Sequence, residues 1–162
     1  MSEFRVLVVE DHEPFRRFIC STLGKKADLQ IVSEVSDGSE AVLKAQQLQP
    51  DLILLDIGLP TLNGIEVARR IRALSPNSKI VFVTQEFSAE VVQEAFRVGA
   101  LGYVIKTQAG VDLLAAVESV CLSRPFVSKA LAELLARELA GKQPAKRFRE
   151  DKGFAPVRKV GS

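Results

Sequence analysis

Short apolar runs alternate along most of the chain with segments whose apolar residues recur at helical spacing. This alternation is typical of βα units, in which each strand is followed by a helix that packs on the sheet. Residues 52–55 are apolar without alternating polar positions, which indicates a strand covered on both faces. We predict strands at about residues 5–9, 29–35, 52–55, 80–83 and 103–105, and helices at about residues 13–23, 39–48, 64–74, 88–98 and 110–123.

Five βα units in series imply an α/β fold with a doubly wound parallel sheet and right-handed crossovers. Five strands fit the flavodoxin-like order 2-1-3-4-5, with five flanking helices and the more polar second strand at an edge. In the first helix, Phe15, Phe18, Ile19 and Leu23 lie on one apolar stripe. Ligands of such sheets bind beyond the carboxyl ends of the strands, near the reversal between the first and third strands.

The carboxyl-terminal part of the chain follows a different pattern. Leu131, Leu134, Leu135 and Leu139 lie on one stripe, which predicts an amphipathic, linker-like helix within residues 125–141. The segment that follows is rich in Lys and Arg and poor in large apolar residues, which favours disorder. We therefore expect three regions: a domain over residues 3–124, the helix over residues 125–141, and a basic tail over residues 142–162.

Composition excludes several classes of protein. The length of 162 residues suits one domain plus an extension, and a net charge of +2 gives the whole chain no strong electrostatic signature. No apolar run approaches the ~20 residues of a membrane span, and the amino terminus does not resemble a signal peptide. Two cysteines are too few for a disulfide framework. We expect a cytoplasmic protein without a membrane partner.

Polar residues follow four of the predicted strands at the point where each strand ends. Glu10 and Asp11 follow the first strand, Asp56 the third, Thr84 the fourth and Lys106 the fifth. A single strand-terminal Asp is often only a turn residue or a helix cap. Because the carboxyl ends of parallel strands share one edge of the sheet, the coincidence at four strands favours a common site.

The residue types in this predicted cluster suit phosphate chemistry with a metal. Glu10, Asp11 and Asp56 would repel one another unless a hard cation lay between them, and oxygen-only ligation favours Mg²⁺. Lys106 is a point-charge partner for phosphate, and Thr84 offers a hydroxyl donor. Asp56 is then the candidate nucleophile, because carboxylates can form acyl phosphates.

These residues, taken with their neighbours, resemble the receiver domain of bacterial response regulators. The similar residues span about residues 4–124 and are Glu10-Asp11, Asp56-Ile57-Gly58-Leu59-Pro60, Asn63-Gly64, Thr84, Gly99-Ala100, Tyr103 and Lys106. The start Glu10-Asp11-His12, the segment 102–106 and Phe126-Val127-Ser128 resemble the LuxR-type (NarL/FixJ) subfamily.

The resemblance implies a role for each residue of the phosphoacceptor site. Asp56 would accept a phosphoryl group from the phosphohistidine of a sensor histidine kinase. Asp11, Asp56 and Glu10 would hold Mg²⁺, together with the backbone carbonyl of Gly58. Lys106 would pair with the phosphoryl group.

The resemblance also implies a switch and a means of tuning it. Thr84 would form a hydrogen bond to a phosphoryl oxygen and move on activation. Tyr103 would change rotamer on the output face, which the fourth helix, the fifth strand and the fifth helix form. Gly58 and Glu86 occupy positions that tune dephosphorylation in the family. Gln85 departs from the small residue usual after the switch threonine, so its long amide is expected to affect access to Asp56 or phosphoryl lifetime.

Three function classes remain open from sequence. The first is a phosphoacceptor signalling module that acts through protein contacts, including self-association through its helices. The second is the receiver portion of a LuxR-type transcription regulator, although residues 125–162 show no helix-turn-helix pattern and should not bind DNA specifically. The third is a phosphohydrolase of the haloacid-dehalogenase type, which needs an Asp where this chain has Gly58. We therefore expect no multiple-turnover enzyme; the downstream effector is unknown.

Overall fold

A computed structural model describes residues 3–141 of the chain. Strands and helices alternate as predicted, and a single 3₁₀ turn, Lys106–Gln108, follows the fifth strand. The elements are β1 (Phe4–Val9), α1 (Glu13–Leu23), β2 (Leu29–Val35), α2 (Gly38–Leu48), β3 (Leu52–Leu55), α3 (Gly64–Leu74), β4 (Lys79–Thr84), α4 (Ala89–Arg97), β5 (Gly102–Ile105), α5 (Ala109–Cys121), β6 (Phe126–Val127) and α6 (Lys129–Gly141).

All strands are parallel and lie in the order β2-β1-β3-β4-β5-β6. The first five follow the predicted order, with β2 at an edge. The sixth strand corrects the prediction of five: Phe126 pairs with Gly102, and its N–H donates to the Leu101 carbonyl at 2.9 Å. Sequence periodicity could not show a two-residue strand, because one alternation is no pattern.

The central strands carry the core. Every residue of β3 is buried, which confirms the prediction of a strand covered on both faces. Strand β4 is buried from Ile80 to Thr84, whereas edge strand β2 is mostly half-buried or exposed. Because these strands are parallel neighbours, the carboxyl ends of β1, β3, β4 and β5 lie at the same edge of the sheet.

Side-chain caps explain where three helices begin. Asp37, Asn63 and Ser88 each accept a hydrogen bond from the backbone N–H three residues further on, at the starts of α2, α3 and α4. Such caps satisfy backbone donors that the first turn of a helix leaves free. Ser88 is the cap rather than the first residue of α4, so this helix starts at Ala89, one residue later than predicted.

The chain divides between Ser128 and Lys129 into two compact units. In the second unit, α6 starts at Lys129 and lies within the predicted region 125–141. Residues 126–127, at the start of that region, belong to the first unit and form β6. Leu131 is buried and Leu139 is 53% exposed, so the leucine stripe is buried unevenly. The predicted basic tail, residues 142–162, lies outside the described residues. Between residues 3 and 141, no helix combines the length and apolar character that a membrane span requires.

Candidate functional site

The predicted site residues meet at the carboxyl edge of the sheet. Glu10 and Asp56 directly follow β1 and β3, Thr84 ends β4, and Lys106 follows β5. Glu10, Asp56 and Thr84 are all 5% exposed or less. Neighbouring parallel strands thus bring together side chains that lie up to 96 positions apart in the sequence.

Lys106 is the centre of this cluster. Its Nζ donates to Asp56 Oδ2 at 2.9 Å and to Glu10 Oε2 at 3.0 Å, and its side chain is only 12% exposed. Burial alone would lower the pKa of Lys106, but the hydrogen bonds to Asp56 and Glu10 outweigh burial and raise it. The ammonium group therefore stays charged and neutralises part of the carboxylate cluster.

Glu10 is held by its own loop as well as by Lys106. Its Oε2 also accepts the His12 N–H at 3.0 Å, and its carbonyl accepts Arg16 Nη1 at 2.9 Å. Burial raises the pKa of Glu10, and the nearby Asp56 charge adds to this effect. Glu10 Oε1 is buried and has no hydrogen-bond partner among residues 3–141. A buried carboxylate oxygen without a donor is costly, so this atom fits a cation better than a closed structural role.

Glu10, Asp11 and Asp56 together could hold a divalent cation. Each offers a carboxylate oxygen, and these oxygens lie within 4.8 Å of one another. Asp11 is exposed, whereas Glu10 and Asp56 are buried, so the cluster opens to solvent on one side. A set made only of oxygen ligands with room for water suits Mg²⁺. Gly58 lies beside it and donates its N–H to Asp56 Oδ1 at 3.3 Å; the metal role of its carbonyl stays a prediction.

A glycine sets the position of the backbone at Asp56. The Gly64 N–H donates to the Ile57 carbonyl at 2.8 Å, which joins the start of α3 to the loop after β3. A Cβ at position 64 would lie 2.1 Å from the Asp56 carbonyl oxygen. Only glycine allows α3 to approach this closely, so Gly64 helps to define where the Asp56 carboxylate points.

The cluster opens into a cleft of about 450 Å³. Its walls include three residues that were not predicted for the site, and the full lining is made of the predicted residues Asp11, Asp56, Gly58, Thr84, Gln85, Glu86 and Lys106 together with His12, Phe15 and Thr107. Gln85 and Glu86 are exposed at its rim. A cleft of this size next to a mostly buried carboxylate can admit a phosphorylated group.

Tyr103 is tied to the loop that follows β4. It is fully buried, and its hydroxyl donates to the Glu86 carbonyl. The Glu86 N–H in turn donates to Thr84 Oγ1 at 3.3 Å. Burial raises the pKa of Tyr103, so its hydroxyl remains a donor. Thr84 and Tyr103 are thus linked through one residue, Glu86, as a coupled pair would require.

Sequence reasoning missed the wall that α1 contributes. It assigned Phe15 to the apolar stripe of α1, yet the ring lies 5.0 Å from Lys106 Nζ and lines the cleft. It also did not identify the contacts of His12 and Arg16, which both donate to Glu10. No sequence signal could show these contacts, because helical periodicity identifies the buried face but not its neighbours.

The site and fold together define a receiver domain. The family model for the response regulator receiver domain matches residues 6–118, and the chain belongs to this family. It is the receiver domain of a response regulator of the NarL/LuxR type in two-component systems. Response regulators of this kind are signalling proteins phosphorylated by sensor histidine kinases, and receiver domains bind Mg²⁺ at an acidic pocket.

Two curated relatives illustrate the similarity. The DNA-binding transcriptional activator DevR/DosR of Mycobacterium tuberculosis is 34% identical over 137 residues, which are 85% of this chain and 63% of that protein. The nitrate/nitrite response regulator protein NarL of Escherichia coli is 33% identical over 134 residues, which are 83% of this chain and 62% of NarL. The chain thus spans less than two thirds of the length of these relatives.

Solved structures share the fold. A LuxR-family two-component response regulator from Aurantimonas sp. SI85-9A1 is 29% identical, with a TM-score of 0.81 over 86% of this chain and 99% of that one. The response regulator domain of Thermotoga maritima CheB is 30% identical, with a TM-score of 0.70 over 76% of this chain and 99% of that one.

Proposed function

We propose that Asp56 accepts a phosphoryl group from the phosphohistidine of a sensor histidine kinase. The observation that carries this proposal is the position of Asp56: its carboxylate is hydrogen-bonded to Lys106 at 2.9 Å and faces a cleft open to solvent. A carboxylate oxygen of Asp56 attacks phosphorus, and the phosphorus–nitrogen bond of the donor breaks. The bonding electron pair stays on the imidazole nitrogen, which the solvent protonates.

Glu10, Asp11 and Asp56 would hold Mg²⁺, and the unpartnered Oε1 of Glu10 supports this assignment. The bound ion would offset the negative charge that gathers on the phosphoryl oxygens during transfer. Lys106 supplies a second positive charge, because its ammonium already lies between Glu10 and Asp56. The Gly58 carbonyl is proposed as a further ligand.

Phosphorylation at Asp56 would act on Thr84 and Tyr103. A phosphoryl group adds about −1.5 to −2 of charge and three strong acceptors. Thr84 can donate its hydroxyl to one of these oxygens, since in the unphosphorylated chain Oγ1 only accepts from the Glu86 N–H. Tyr103 bonds to the same Glu86, so a displacement of Thr84 would alter its partner. This coupling would pass the signal to protein contacts, including self-association of the chain.

The residues at the rim of the cleft would tune the lifetime of the acyl phosphate. Gly58, Gln85 and Glu86 line the cleft, and Gln85 and Glu86 are exposed. Water must reach phosphorus through this opening in order to hydrolyse the acyl phosphate. The Gln85 amide is a larger group than the small residue usual in the family, so it is placed to limit this access.

A second candidate output is transcription control. DevR/DosR is a DNA-binding transcriptional activator, and this chain spans 63% of its length. The chain would then be the receiver portion of such a regulator, and phosphorylation would act on a DNA-binding part beyond the matched residues. We expect the 162 residues alone to bind promoter and random DNA equally weakly in a gel-shift assay; tight, salt-resistant binding to one promoter would contradict this.

The proposed phosphorylation can be tested by intact-mass spectrometry. Incubation of the chain with acetyl phosphate and Mg²⁺ should add one phosphoryl group, and EDTA should suppress the addition. Asp56→Asn should abolish the addition because the amide is not a nucleophile. Asp28→Asn should not, because Asp28 precedes β2 and lies at the amino-terminal end of that strand, away from the site. An unmodified wild-type chain, or equal modification of Asp56→Asn, would overturn the assignment.

The metal ligands can be tested separately from the nucleophile. Asp11→Asn leaves Asp56 in place but removes one carboxylate from the cluster. We expect this variant to need a higher Mg²⁺ concentration for half-maximal phosphorylation and to approach the wild-type rate at saturating Mg²⁺. An unchanged Mg²⁺ dependence would exclude Asp11 as a ligand.

A further inference from the structure

We propose that Phe15 is a positioning residue for Lys106, and that its ring keeps the ammonium group in the cleft while the oxygen partners of this group change. The inference rests on the proposed phosphoryl transfer to Asp56. It is carried by one contact: Lys106 Nζ lies over the Phe15 ring, 5.0 Å from its centroid.

The ring covers a side of the ammonium group that the carboxylates leave open. Lys106 has three N–H donors, and the contacts among residues 3–141 use two of them, on Asp56 Oδ2 and Glu10 Oε2. The face of an aromatic ring attracts a cation through its quadrupole, and this attraction strengthens when water is excluded. The Lys106 side chain is only 12% exposed, so little water weakens its attraction to the Phe15 ring.

A cation–π contact suits a group that must exchange its partners. A hydrogen bond to Asp56 Oδ2 depends on the place of that oxygen, which changes when the carboxylate becomes an acyl phosphate. The attraction to the ring depends on the position of the charge over the ring face and not on where the carboxylate oxygens lie. Phe15 would therefore hold Lys106 Nζ near phosphorus before and after transfer, while the hydrogen bonds move from carboxylate to phosphoryl oxygen.

The ring itself is fixed relative to the site. Phe15 lies in the first turn of α1, and two contacts join this end of the helix to the residue after β1: the His12 N–H donates to Glu10 Oε2 and Arg16 Nη1 to the Glu10 carbonyl. The Phe18 ring packs against Phe15 with centroids 5.4 Å apart. Phe15 thus has little freedom to move away from Lys106.

Substitutions at position 15 distinguish the effect of the aromatic ring from the effect of side-chain size. Phe15→Leu and Phe15→Met keep an apolar side chain but remove the aromatic face, whereas Phe15→Tyr keeps the face. Phe4→Leu is the matched control, since Phe4 is also half-buried but lies at the other end of β1. Circular dichroism shows which variants fold, and two ringless variants are available should one of them not fold.

Two measurements then decide the proposal. The side-chain NMR resonances of Lys106, assigned by their loss in Lys106→Met, report the ring directly through its ring-current shift. The rate of Asp56 phosphorylation by acetyl phosphate at saturating Mg²⁺ reports its effect on transfer. We expect Phe15→Leu and Phe15→Met to lose the shift and to react roughly three- to tenfold more slowly, as the strength of such contacts suggests. Phe15→Tyr and Phe4→Leu should stay near wild type.

The outcomes separate this proposal from the proposed function. An unchanged Lys106 resonance in the ringless variants, or a lost shift with an unchanged rate, would overturn the role of Phe15 while leaving phosphorylation of Asp56 intact. A wild-type chain that is never phosphorylated would instead refute the proposed function, and the Lys106 resonance would still decide whether the ring holds the ammonium group.

Discussion

Lys106 and Asp56 lie 50 positions apart in the sequence, yet their side chains meet at 2.9 Å between Nζ and Oδ2. Their side chains are 12% and 6% exposed, so water screens this pair little. The same ammonium group reaches Glu10, which makes Lys106 the cation that permits two nearly buried carboxylates to face each other. The stability of this cluster and the proposed phosphoryl transfer therefore involve the same residue.

Removal of the Lys106 charge should destabilise the metal-free chain. Lys106→Met leaves Glu10 and Asp56 without their shared cation, and the loss of one partner of a buried ion pair costs about 3–5 kcal/mol. Urea unfolding in EDTA measures this change in the free energy of unfolding. Lys25→Met, at an exposed position, should change it little. Equal stability of both variants would show that the carboxylates need no cation.

Loss of the Tyr103 hydroxyl should affect the link to Glu86 but not the core. Tyr103→Phe keeps the ring, which packs against Phe82 and Phe96 with centroids 6.1 and 6.5 Å apart. It removes the donor to the Glu86 carbonyl, so we expect a loss of about 1 kcal/mol in the free energy of unfolding. Asp56 should still be phosphorylated. If phosphorylation also fails, Tyr103 belongs to the phosphoacceptor site itself.

A methyl group at position 64 should disturb Asp56. In Gly64→Ala the new Cβ would lie 2.1 Å from the Asp56 carbonyl oxygen, so the backbone there must shift. We expect a lower midpoint of thermal unfolding and slower phosphorylation. Gly110→Ala is the control, because its Cβ meets nothing within 4 Å and alanine favours the helix there. Similar behaviour of both variants would argue against a close approach at Gly64.

The alkylation rate of Cys20 should rise at a higher pH than that of an ordinary thiol. Burial, with the nearby Glu34 charge, raises the pKa of the Cys20 thiol to about 11 from its ordinary 9.0. A higher pKa means less thiolate, so alkylation at pH 8 in a Cys121→Ser chain should be about a hundredfold slower than that of the urea-unfolded chain. The rate should continue to rise with pH above 9. Glu34→Gln should speed the reaction; a rate that already levels off near pH 9 would contradict the shift.

The sequence was sufficient for most of the elements, and the exceptions have physical causes. The bounds predicted for β2, β3 and α3 agree with those of the structure. Strand β6 was missed because two residues carry no period. The convergence of Glu10, Asp56, Thr84 and Lys106 was predicted correctly, since strand-end positions follow from the order of a parallel sheet.

By itself the sequence determined the alternation of strands and helices, their order in the sheet and the acidic character of its carboxyl edge, because these follow from local periodicity and residue type. Only the tertiary structure decided which charges pair. It showed that Lys106 bridges Glu10 and Asp56, that Phe15 lies beside the ammonium group, and that Glu10 Oε1 has no hydrogen-bond partner in the described part of the chain. Distances between side chains on different elements depend on packing, which no local pattern records.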